Sequence, residues 1–170
     1  IPDPAQFCSE LLKDGLQKNG VKVLGRKFAS NKAPELLYTT LSPALSEIVY
    51  WTNQKSVNLY AEHLLKSMGQ GKMLAGLQKV AQFWKSRGID LKGMNMMDGS
   101  GVSRKNFITA RQLVAVLMKM KDSSHFFASL PEVKPGVHAK GGSMSFIRCL
   151  TGYKGDNAFA ILINHYQDLE

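Results

Sequence analysis

The 170-residue chain is short of several things. No run of four basic residues occurs, and no basic stripe is interleaved with aromatics. The net charge of +9 is therefore spread along the chain and does not read as a nucleic-acid interface. No apolar run approaches the roughly 20 residues of a membrane span. There are only 2 cysteines, Cys8 and Cys149, far apart in sequence, and no C-x-x-C pair. A disulfide and two small buried hydrophobes are both open readings, with burial favoured. H-E-x-x-H is absent and His63, His125, His138 and His165 are scattered, so neither a metal nor another cofactor is expected. The first residues, Ile1-Pro2-Asp3-Pro4, include no methionine and no charged-then-apolar leader, which reads as a processed or truncated product.

What remains is an ordinary globular composition, 44% hydrophobic and 9% aromatic, long enough for one domain over residues 1–170. Asp3-Pro4-Ala5-Gln6 reads as a helix start, and Phe7, Cys8, Leu11, Leu12 and Leu16 then share one face up to Asn19-Gly20. Strands are expected at Val21–Leu24 and Glu35–Leu41. Ser42-Pro43 opens another helix, whose pattern falters at Thr52-Asn53-Gln54-Lys55. Ser56 is placed as the N-cap of the helix after that polar elbow. Lys72–Arg87 is amphipathic, Ile89–Met97 is strand or extended loop, and Thr109-Ala110-Arg111-Gln112 is a capping box. A linker through Pro131 and Pro135 leads to the β-type run from Val137, and residues 144–166 read as a hairpin. Helices first and antiparallel strands last give an α+β fold.

Three clusters could carry chemistry: Ser56-Val57-Asn58, Asp98-Gly99-Ser100-Gly101 and Lys140-Gly141-Gly142. Taken singly they read as a cap, a turn and a bend. Taken in order, S-x-N followed by K-x-G on a strand is two thirds of the serine β-lactamase and penicillin-binding-protein signature. The longer contexts are Ser56-Val57-Asn58-Leu59-Tyr60-Ala61-Glu62, Asp98-Gly99-Ser100-Gly101-Val102-Ser103-Arg104 and His138-Ala139-Lys140-Gly141-Gly142-Ser143. They closely resemble the serine D-alanyl-D-alanine carboxypeptidases/endopeptidases of the class C low-molecular-mass penicillin-binding proteins, from about Ile1 to Tyr166.

The resemblance implies part of a penicillin-binding-protein/β-lactamase-like fold, an antiparallel sheet flanked by helices. It implies a bacterial, periplasmic or extracytoplasmic hydrolase that acts on peptidoglycan peptide stems through an acyl-enzyme and is trapped by β-lactams. Ser56 would match the proton-relaying hydroxyl, Asn58 the amide that binds the substrate peptide, and Lys140 the cation that supports the site. The Ser143 backbone N–H would match an oxyanion-hole donor beside Gly141 and Gly142. Two departures stand against this match. No serine in the 170 residues is followed three positions later by lysine, so the chain is expected to lack the nucleophile and to be inactive alone. Gly141 stands where the family carries threonine or serine. These departures favour an alternative, a non-catalytic cell-wall-binding or scaffolding domain that retains the fold. Truncation would also leave a strand edge open, with an upstream part of the same chain or a second copy as partner.

Overall fold

The computed structural model describes residues 3–24, 36 and 38–166. The chain divides into two compact units, Ile1–Leu41 and Ser42–Glu170.

In the first unit, α1 spans Pro4–Lys18. The Asp3 carboxylate accepts from the Gln6 N–H at 2.9 Å, with proline in the first turn, as expected of a residue that satisfies an orphan helix donor. The apolar face is present, but Phe7, Leu11, Leu12 and Leu16 are exposed, Leu12 by 65%. Cys8 is an exposed free thiol, which corrects the expectation of burial. Helical periodicity identifies a face suited to burial, not a partner that covers it. Val21–Leu24 is irregular and not a strand. Of the strand expected at Glu35–Leu41, Glu35 and Leu37 lie outside the described residues, and Leu36 and Tyr38–Leu41 are irregular.

The second unit contains α2 (Leu45–Lys55), α3 (Asn58–Met68), α4 (Met73–Ser86), α5 (Ala110–Met120) and α6 (Ser124–Ser129). They are followed by β1 (Glu132–Lys134), β2 (Val137–Met144), β3 (Ile147–Lys154) and β4 (Asn157–Asn164). The strands form one antiparallel sheet in the order β1-β2-β3-β4. Two-residue turns, Ser145-Phe146 and Gly155-Asp156, join β2 to β3 and β3 to β4. The expected hairpin, β3 with β4, is thus the second half of a meander that starts earlier, at Glu132. The segment expected as a linker holds α6 and β1 instead. Helix α2 begins after Ala44 without a side-chain cap, two residues later than Ser42-Pro43 suggests. Ile89–Met97 is loop, with a single bridge between Asn95 and Phe107.

Thr109 and Gln112 form the capping box that opens α5, and α5 packs on β3 and β4. Its Leu117 joins Leu130 and Tyr153 in the buried cluster, with Phe126, Phe127 and Ala158 against them. Tyr153 and Ala158 are cross-strand partners and so share the helix-covered face of the sheet. The opposite face of β4 presents Ile161 and Ile163, 49% and 47% exposed. Glycine is forced at Gly152, where a Cβ would run into the His138 carbonyl oxygen and Ala139 of β2.

Tyr153 is 2% exposed and its hydroxyl donates to the Leu117 carbonyl at 2.7 Å. Burial pushes its phenol above the ordinary value of 10.0. The folded state therefore holds this proton more tightly than the unfolded chain. Its contribution to stability is complete below pH 10.0 and is lost as pH rises through the folded value. Tyr153→Phe is expected to cost about 1 kcal/mol at pH 7 from the lost hydrogen bond. It should also flatten the fall in stability above pH 10.0, as measured by denaturant unfolding across the alkaline range.

Candidate active site

The elbow between α2 and α3 is only two residues long. Ser56 ends α2 in the left-handed conformation, with φ 53° and ψ 45°, and the extended Val57 is the N-cap of α3. Left-handed backbone at a helix end normally calls for glycine or asparagine, and costs other residues roughly 1–2 kcal/mol. Ser56 is therefore not the N-cap that its local sequence suggests. Its hydroxyl is engaged elsewhere. Lys140, 84 residues later on β2, donates from Nζ to Ser56 Oγ at 2.5 Å and to the Gly141 carbonyl at 2.6 Å. Asn58, the first residue of α3, is exposed one residue beyond the elbow.

The polar residues that interrupt the apolar pattern of α2 hold this arrangement together. Asn53 Nδ2 donates to Ser129 Oγ at 2.7 Å, and Gln54 Nε2 donates to the Ser129 carbonyl at 3.1 Å. Ser129 is fully buried at the end of α6, immediately before the strands. The helix thus runs through Thr52–Lys55 because its amides find partners across the fold, a signal that apolar periodicity cannot register.

The Asp98-Gly99-Ser100-Gly101 segment is more than a turn. Glu62 Oε1 on α3 accepts from the Ser100 N–H at 3.0 Å and from its hydroxyl at 2.7 Å. Asp98 accepts from the Gly101 and Ser103 N–H groups, both at 2.7 Å, and from Asn106 Nδ2 at 2.9 Å. A Cβ at Gly99 would press on the Ala61 carbonyl oxygen, so this glycine allows the loop to lie directly on α3. Glu62 and Asn106 carry the brace and were not singled out from sequence. The only signal was the position of Glu62 one turn beyond the S-x-N triplet.

Strand β1 pairs only with Val137 and His138, and the Ala139 N–H adds a bond to the Pro131 carbonyl at 2.9 Å. From Lys140 to Met144 the outer edge of β2 has no strand beside it among the described residues. Gly141, Gly142 and Ser143 are exposed along that run. A cavity of about 480 Å³ lies against Gly142, Ser143 and Met144, with Ser103 and Arg104 from the braced loop and Arg148 on β3 among its lining. Cys149, also on its wall, is a half-buried free thiol whose Sγ is 3.6 Å from the Gly142 carbonyl. The structure thus brings Ser56 and Lys140 into contact and places Asn58 beside Ser56. It sets Gly141–Ser143 on the same open strand. Among the described residues no three His, Cys, Asp or Glu side chains cluster closely enough to hold a metal ion.

The sequence profile of the D-Ala-D-Ala carboxypeptidase 3 (S13) family matches residues 1–170. The chain belongs to this family. It is 33% identical over 201 residues to a D-alanyl-D-alanine carboxypeptidase from Actinomadura sp. (strain R39), covering 96% of this chain and 37% of that protein. It is 30% identical over 184 residues to the penicillin-sensitive carboxypeptidase A of Dictyostelium discoideum, covering 89% of this chain and 35% of that protein. Crystal structures of penicillin binding protein 4 (dacB) from Haemophilus influenzae superpose with TM-scores of 0.80 and 0.78 at 22% identity, the second complexed with a β-lactam. They cover 96% of this chain and 43% and 45% of those chains, and show that the S13 chain has their fold in part. The chain spans little more than a third of the length of these curated relatives.

Ser56→Gly and Ser56→Ala both remove the hydroxyl, and only the first relieves the left-handed backbone. The glycine variant is expected to be more stable than the alanine variant by about 1 kcal/mol in chemical denaturation. Equal stabilities would contradict the conformation assigned to the elbow.

Proposed function

We propose that this chain is the substrate-binding and proton-transfer portion of a serine-type D-Ala-D-Ala carboxypeptidase/endopeptidase acting on peptidoglycan peptides. The contact between Lys140 Nζ and Ser56 Oγ carries this reading, because it joins two motifs that are separate in sequence at an open strand edge. A peptide laid along β2 would pair with the free backbone groups from Lys140 onward, in the manner of strand addition. Asn58 would hold its amide, and the Ser143 N–H would face the carbonyl oxygen on which negative charge develops.

In the reaction, a serine oxygen bonds to the scissile carbonyl carbon, the C–N bond breaks and the amine leaves with a proton. Water then cleaves the resulting ester and regenerates the serine. Ser56, with Lys140 beside it, would pass the proton to the leaving amine. The ammonium stabilises the negative charge that develops nearby. No cofactor enters these steps.

The attacking serine is not identified among the 170 residues, since no serine there has lysine three positions on. The isolated chain is therefore a binder that does not turn over. A non-catalytic wall-binding domain is the second reading, and the same absence and Gly141 favour it. Peptidoglycan lies outside the cytoplasm, so either reading places the chain in the bacterial envelope. No described helix is long and apolar enough to cross a membrane. Among the described residues no strand pairs with the outer edge of β4, and Ile161 and Ile163 are half-exposed, which supports pairing with a strand from an upstream part of the same chain or from a second copy.

Incubation with benzylpenicillin should leave the intact mass of the 170-residue chain unchanged. An N-acetylated peptide ending in D-Ala-D-Ala should perturb the backbone amide resonances of Lys140–Ser143, and should no longer do so in Lys140→Ala. A covalent penicillin adduct would contradict the inactivity. Perturbations confined to other strands would contradict the site.

A further inference from the structure

Both members of the Lys140–Ser56 contact are fastened to one short segment, residues 129–131. On the Ser56 side, Asn53 Nδ2 donates to Ser129 Oγ at 2.7 Å and Gln54 Nε2 to the Ser129 carbonyl at 3.1 Å. On the Lys140 side, Ala139 immediately precedes the lysine, and its N–H donates to the Pro131 carbonyl at 2.9 Å.

The segment is itself locked in place. The Ser129 hydroxyl donates to the Phe126 carbonyl at 2.6 Å, which commits its one proton and leaves only lone pairs for Asn53. Ser129 and Ala139 are fully buried, and Leu130 between the two anchor points is 4% exposed in the cluster with Leu117 and Tyr153. The end of α2 and the start of β2 therefore hang from one point in the core.

Neither end would keep its place unaided. Ser56 has left-handed backbone, a conformation that persists in such a residue only where its surroundings enforce it. Lys140 carries its ammonium on a flexible stem, so its reach does not fix the strand. A working site needs its groups held to within about 0.5 Å. Asn53 and Gln54 hold the turn that precedes Ser56, and Pro131 holds the residue that precedes Lys140.

We infer that Ser129 is a positioning residue for the Ser56–Lys140 pair. Buried as it is, it touches no ligand. Its hydroxyl and carbonyl set where the elbow stands, from the same segment that sets the strand. This inference rests on the reading of Ser56 and Lys140 as the proton-transfer unit of a peptide site.

Two readouts on the 170-residue chain test it. One is the nitrogen-edited NMR signal of the Lys140 ammonium, which depends on hydrogen-bonded protons that exchange slowly and needs no ligand. The other is the calorimetric affinity for an N-acetylated D-Ala-D-Ala peptide capped as its methylamide. Asn53→Ala and Ser129→Ala should each abolish the ammonium signal and weaken the peptide by about tenfold, the result of a misplaced group. In a Ser56→Ala background, Asn53→Ala should weaken it by less than about twofold, because the hydroxyl it positions is already gone. Gln112→Ala is the control. That buried amide donates to the Asp90 and Lys92 carbonyls on the loop after α4, so its loss should lower stability and leave both readouts unchanged. An ammonium signal that survives Asn53→Ala and Ser129→Ala overturns the inference, as does its absence from the unaltered chain or an equal loss in Gln112→Ala. If the unaltered chain binds no peptide, the peptide-site reading fails, and the ammonium signal still decides whether Ser129 places the pair.

Discussion

The Lys140–Ser56 contact is the constraint around which the second unit is arranged. It closes a distance of 84 residues between a helix elbow and a strand. Each end would be unremarkable alone, as a left-handed residue after α2 and a half-buried lysine on an edge-facing strand. Together they convert the end of one helix, the start of the next and one strand into a single polar site. The surrounding bonds keep the two ends in register. Asn53 and Gln54 fasten α2 to Ser129, and Glu62 fastens α3 to the loop that reaches the cavity beside Ser143.

Backbone strain and side-chain chemistry coincide at Ser56. A glycine at that position would end the helix at lower cost, yet could offer no hydroxyl to Lys140. Strained conformations persist where surrounding structure over-determines them, and such positions collect at functional sites. Gly141 shows the converse. There the fold would accept a side chain and the sequence withholds one. These two residues, one under strain and one missing a group, separate what the fold demands from what the site demands.

Features of the chain set by neighbouring residues were legible in sequence. The Asp3 cap, the Thr109–Gln112 capping box and the β-type runs from Val137 to Asn164 depend on spacings of a few positions, and they stand as read. The misread features depend on distant partners. Ser56 looks like a cap until Lys140 is beside it, and Thr52–Lys55 look like a break until Ser129 receives their amides. Strand β1 and helix α6 are too short, and too close to prolines, to leave a periodic trace. Cys8 was placed by a helical period that carries no information about cover. The S-x-N and K-x-G motifs were visible from order and context. Their meeting was an expectation from resemblance, and the cause of that meeting lies in polar contacts that leave no pattern.

The account stands on Ser56 and Lys140 acting as one unit when a peptide is bound. A double-mutant cycle with Ser56→Ala and Lys140→Ala, read as the affinity of the 170-residue chain for the methylamide-capped D-Ala-D-Ala peptide, measures this directly. Each single substitution should remove nearly as much binding free energy as the pair, with a coupling of about 1 kcal/mol or more. Losses that add to within about 0.5 kcal/mol would show that the two residues bind the ligand independently, and would contradict a shared site.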